Sequence, residues 1–150
     1  MAVQAFNPKI GAGLSFTSLA LLFSVMLIGV FITSSGQGLS FLEWPLCPNG
    51  LGWPSDEHLF EHIHRLIVVI TASFIFVTAG YSSAKMKPAR KTAVMAAAIV
   101  SIQIVLGMVM VNTGLLPLLV AAHLSTGITL FAMTLMTFLT AFRLVTGKGI

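Results

Sequence analysis

Four apolar runs, at about residues 14–34, 59–81, 92–112 and 115–142, fill most of this 150-residue chain. Each is long enough for the ~20 residues that cross a bilayer as a helix. Within hydrocarbon the backbone must bond to itself, and runs of this length do so as helices. Charged residues make up 8% of the chain and hydrophobic ones 57%. A soluble domain carries about 25% charged residues, so an aqueous fold would lack its polar surface. The expected fold is all-α, an integral membrane antiparallel four-helix bundle formed by one membrane domain over residues 1–150. The first run exceeds the apolar core of a signal peptide and lacks a small-residue cleavage site before a polar chain, so a retained helix is expected.

Lysine and arginine set the orientation. Lys9 precedes the first run, Lys85, Lys87, Arg90 and Lys91 fill the second connection, and Arg143 and Lys148 follow the fourth. All of these fall on one side of an up-and-down bundle, which the positive-inside rule makes cytoplasmic. Both termini and the 82–91 loop are therefore expected inside, in a cell membrane. The acids Glu43, Asp56, Glu57 and Glu61 fall on the other side, with Arg65 as the exception. The 35–58 loop, with Trp44 and Trp53 suited to interfacial anchoring, is expected outside. Basic residues placed this way are a topology signal, and no nucleic-acid partner is expected. One cysteine, Cys47, excludes an intrachain disulfide and any iron–sulfur or structural zinc site built on thiolates of this chain alone.

His64 and His123 each lie about a turn or two inside an apolar run, near the same membrane face. Ionisable side chains within a membrane are costly and mark functional sites. Two imidazoles at matching depth on different helices suggest axial ligands gripping one metal or one haem; helix-bridging hydrogen bonds are the plainer reading of each alone. At 100° per residue, His64 lies about 60° to one side of Glu61 and Arg65 about 40° to the other, so the three share a face. His62 points about 160° away from His64. With His58 it is expected to face solvent or lipid headgroups.

Glu61 and His64 match the Glu-x-x-His pairing of di-iron bundles, but the other three runs supply no carboxylate. His58 and His62 give zinc two ligands without a clear third. A haem fits better, since its iron accepts two neutral imidazoles and its propionates need a cation, for which Arg65 is suited. Glu61 then stands either as a carboxylate that handles protons beside the macrocycle or as a simple i,i+4 partner of Arg65. Small residues at Ala72, Gly107, Ala121, Ala122, Ser125 and Gly127 fit close helix packing and room for a flat ring equally well.

Glu61, Ile63, His64 and Arg65 within a Glu-x-x-His-Arg motif resemble the second-helix signature of the haem A synthase family. Gly36 to Ser40, followed by Glu43, Trp44, Pro45, Leu46 and Cys47, resemble its outer-loop signature. Gln103 to Gly107 on the third run and His123 on the fourth also fall where that family places them. The resemblance spans essentially the whole chain but only one half of the architecture, since family members are commonly about twice this length. It points to the amino-terminal, substrate-handling half, and to the compact single-bundle form of some prokaryotes. Phe41 stands where the family often has a first loop cysteine, and Phe31, Ile32 and Thr33 lack the basic residue often found at the end of the first helix.

The resemblance implies oxidation of the methyl group of haem O to the formyl group of haem A. His64 and His123 would be the axial ligands of the haem iron, Glu61 the catalytic acid, and Arg65 a cofactor-binding cation. Haem O would be the substrate, haem B a potential second cofactor, and a homo-oligomer would recreate the pseudo-twofold pair of bundles. The electron donor is not named by any flavin or nicotinamide motif. The competing expectation is a bis-histidine haem protein that carries electrons or haem without altering it; a more distant one is an assembly factor that binds no haem.

Overall fold

The computed structural model describes residues 7–39 and 59–147. Among them are four long helices and no strand: α1 (Pro8–Ser34), α2 (Leu59–Lys85), α3 (Arg90–Asn112) and α4 (Pro117–Thr146). The protein is an all-helical bundle, and all four helices are long and apolar enough to span a membrane. The Trp-Pro-Leu-Cys segment, His58 and the remaining acids of the 35–58 loop lie outside the described residues.

Helix ends follow local chemistry. Pro8 opens α1 with its ring-fixed φ, and the Asn7 side chain accepts from the Lys9 backbone N–H at 3.1 Å. Pro117 opens α4 in the same way, and Gly147 closes it at φ +66°. The helices outrun the apolar stretches: α1 begins at Pro8 and α2 continues to Lys85. Hydropathy marks only the hydrocarbon-facing part of a helix, whose backbone keeps its hydrogen bonds into the polar interface. The 82–91 connection is accordingly shorter than its composition suggests, reduced to Met86 and a 3-10 turn at Lys87–Ala89.

Each helix packs against two neighbours, α1 on α2 and α4, and α3 on α2 and α4. Tyr81 Oη donates to the Asn7 carbonyl at 2.7 Å, which sets the start of α1 beside the end of α2. Small and hydroxylic residues, including Ser15, Ser18, Thr78, Ser82, Ala93, Ala96, Thr134 and Ala141, form the core. Large side chains such as Phe16, Leu27, Val69 and Ile128 face outward. Lipid is as apolar as leucine, so close packing of small residues and interhelical hydrogen bonds hold such a bundle. Ser18 and Thr78 share a buried bond at 3.1 Å, and Thr137 donates to Thr92 at 2.9 Å. A cavity of about 10 Å³, lined by Ser18, Ile75, Thr78, Ala93, Ala96, Thr134 and Thr137, lies in the bundle interior. It is the size of a single water and is no place for a macrocycle.

Candidate functional site

The buried face of α2 runs through Thr71, Ile75, Thr78 and Ser82, spaced by one turn at a time. Extended toward the start of the helix at the same spacing, that stripe passes Val68 and reaches His64. The buried face of α4 runs through Gly127, Leu130, Thr134, Thr137 and Ala141, and one turn before Gly127 stands His123. Both stripes therefore have the same spacing and carry a histidine near the start of the helix, and the α2 stripe continues one turn further to buried Glu61. His64 lies five residues after the first residue of α2, and His123 six after that of α4. The difference is about 1.5 Å of helix rise. The two histidines stand on diagonally opposite helices of the bundle, each helix packing on α1 and α3.

Each histidine rests on a glycine of the preceding helix. A side chain built on Gly29 of α1 would put its Cβ 3.2 Å from His64 Cε1. One built on Gly107 of α3 would sit 3.7 Å from His123 Cε1. Gly29 stands two turns beyond buried Leu22, and Gly107 two turns beyond buried Val100. The α1–α2 and α3–α4 hairpins thus repeat one arrangement. His64 Nδ1 and His123 Nδ1 are buried and have no hydrogen-bond partner among the described residues. A buried unpaired ring nitrogen is costly unless something binds it or its neighbour.

Glu61 and Arg65 flank His64. Arg65 Nη2 donates to Glu61 Oε1 at 2.7 Å, with the side chains only 14% and 6% exposed. This is the i,i+4 ion pair, the plainer of the two sequence readings of Glu61, now buried. His62 corrects the expectation of a solvent- or headgroup-facing side chain: it is 4% exposed. A helical wheel measured only against His64 locates the centre of the core stripe, and says nothing of cover on the helix flank. Of the small residues, Ala72 and Gly127 are buried in the packing, whereas Ala121 and Ser125 face outward.

One participant escaped the sequence reading, and so did one contact of a residue it had singled out. The participant is Gly29, because a glycine inside an apolar run carries no polar signal. The contact is the clamp made by Gln103, whose Nε2 donates to the His123 backbone carbonyl at 2.9 Å. That amide crosses so close to α4 that a Cβ on Gly127 would lie 2.8 Å from it. A polar side chain in mid-span was the available signal for Gln103.

Among the described residues no three His, Cys, Asp or Glu side chains converge on a common point, so neither a zinc triad nor a di-iron carboxylate site is assembled there. Two partly buried imidazoles on diagonally placed helices, each with a buried unpaired Nδ1 and a glycine beside its ring, match in type and number the donors that a bis-imidazole iron takes. The family model COX15-CtaA, described as cytochrome oxidase assembly protein, matches residues 51–148. That stretch includes Glu61, His64, Arg65, Gln103 and His123 but leaves α1 outside. No curated protein and no solved structure matches the chain.

Proposed function

This chain belongs to the COX15-CtaA family of cytochrome oxidase assembly proteins, the haem A synthase family, and on that footing we propose that it is a membrane oxidoreductase converting the methyl group of haem O to a formyl group. The observation that carries the reading is the pair of imidazoles on the core stripes of α2 and α4, five and six residues into their helices. His64 and His123 would be the residues that hold the porphyrin iron. When bound, that iron supplies the redox chemistry, with oxygen as oxidant and electrons from a donor. Arg65 supplies positive charge beside the propionates; its guanidinium has five N–H donors, and the Glu61 contact engages Nη2. Glu61, one turn before His64 and with Oε1 held by Arg65, handles a proton at its carboxylate as the methyl carbon loses hydrogen. The small residues along the bundle axis let the helices approach closely.

The closed Glu61–Arg65 pair favours one competitor, a bis-histidine haem carrier or electron-transfer protein in which Glu61 has no chemical part. The purified protein incubated with haem O and reductant under air separates the two. Hydroxylated and formyl haem in the extracted pigment, lost in Glu61→Gln while the bis-imidazole spectrum persists, is the expected result. Unaltered haem O with an intact spectrum would assign the carrier role. Absence of a Soret band would leave an assembly factor without haem.

A further inference from the structure

The first helix supplies no ligand in the reading above and lies outside the family match, yet it touches His64 more closely than any glycine touches His123. We infer that Gly29 is a positioning residue for His64: its missing side chain lets the imidazole lie on the α1 backbone, within a small ring rotation of the Val25 carbonyl as acceptor for Nδ1–H, which leaves Nε2 for a metal. This rests on the haem-binding reading for its consequence, though not for its geometry.

Three observations converge on it. The Gly29 rest is tight: His64 Cε1, Nδ1 and Nε2 lie 3.2, 3.8 and 4.0 Å from where a Cβ would be, so the ring lies against the helix backbone. Val25 stands one turn before Gly29, so its carbonyl points along α1 toward that glycine, the position against which the His64 ring lies. His64 Nδ1 is buried without a partner among the described residues, so the nearest backbone acceptor is the group that can satisfy it. Histidines that bind metals through one ring nitrogen commonly donate the other to a carbonyl or carboxylate, which sets the tautomer and the ring's angle. A backbone carbonyl performs this without a second side chain, provided the intervening position carries none. Gly29 meets that condition. The hairpin repeat sharpens the point, because a Cβ on Gly107 would make an ordinary 3.7 Å contact with His123 and displace nothing.

The test compares Gly29→Ala with Gly13→Ala, on the same helix with open space around it, and needs no turnover. Nitrogen-15 spectra of the haem-free protein labelled at histidine report the tautomer of His64. Nδ1–H is expected in the wild type, shifted toward a mixture in Gly29→Ala and unchanged in Gly13→Ala. On titration with haem B, Gly29→Ala should lose about tenfold or more in affinity, the range for removing a group that orients a metal ligand. Gly13→Ala should keep the wild-type bis-imidazole spectrum. An Nε2–H tautomer in the wild type overturns the inference without using a variant, and so does equal haem affinity in both variants. If the wild type binds no haem, the proposed function fails while the tautomer measurement still decides the role of Gly29.

Discussion

Arg65→Ala should be among the most damaging single substitutions in this protein, for a reason that has nothing to do with haem. The Arg65–Glu61 contact is 2.7 Å long, with Glu61 buried and Arg65 largely covered at 14% exposure. An exposed i,i+4 pair contributes about 0.3–0.5 kcal/mol, because water solvates either charge when the other is removed. With Glu61 only 5% exposed, that replacement solvation is largely missing. Removing one partner of a buried pair costs about 3–5 kcal/mol, since the remaining charge keeps its desolvation penalty and loses its compensation. The lower end, about 3 kcal/mol, applies near the end of a helix where local relaxation can admit water.

The double variant Glu61→Gln/Arg65→Met removes both charges at similar volume and should return to within about 1 kcal/mol of the wild type. Reversible unfolding of the haem-free protein in mixed micelles, followed by loss of helical circular dichroism, measures all three. The opposed signs are the signature: the double variant is more stable than Arg65→Ala, although it carries more changes. If Arg65→Ala costs less than about 1 kcal/mol, the pair behaves as a solvated surface bridge and the reasoning from burial is wrong. The same double variant also serves the functional question, because it should still bind haem through His64 and His123 while forming no formyl product.

Gly127→Ala sets two effects of similar size against each other. Alanine gains about 1 kcal/mol of helix propensity, while a Cβ 2.8 Å from Gln103 Nε2 displaces the amide that bonds the His123 carbonyl. Stability should stay within about 1 kcal/mol of wild type while the Gln103 side-chain amide protons lose their exchange protection, read by NMR. Gly114→Ala should cost about 1–2 kcal/mol in the same unfolding assay, because Gly114 sits at φ +67° with open space around it and only the backbone pays the strain. Ser18→Ala and Thr78→Val each remove one end of a 3.1 Å bond between α1 and α2; a double-mutant cycle should give a coupling of about 0.6 kcal/mol.

What could be read from the chain before the structure was whatever stands out chemically against an apolar background. Four helices were legible because hydrocarbon leaves the backbone no other solution, and His64 and His123 because imidazoles are rare within such runs. Helix ends were not, since Lys85 and the residues before Gly13 are polar or small yet still complete helical hydrogen bonds. His62 was misplaced because helical angles order side chains around one axis without showing what covers the flank. Gly29 was invisible for the opposite reason: its contribution is an absent atom, and only the partner ring reveals it.

Both imidazoles of the proposed site come from one bundle, and that bears on what self-association would be for. The α1–α2 and α3–α4 hairpins repeat the same glycine-and-histidine arrangement, so two like ligand positions already exist inside one bundle. On the proposed reading a second copy is unnecessary for holding the iron. Any self-association would then add something else, such as a second haem, a path for electrons, or cover for the aromatic pairs Phe16–Phe138 and Phe23–Phe131 between α1 and α4. The consequence is a separation of roles: substitutions at His64, His123 and Gly29 act on ligation at any protein concentration, whereas a dependence of turnover on concentration would belong to electron supply.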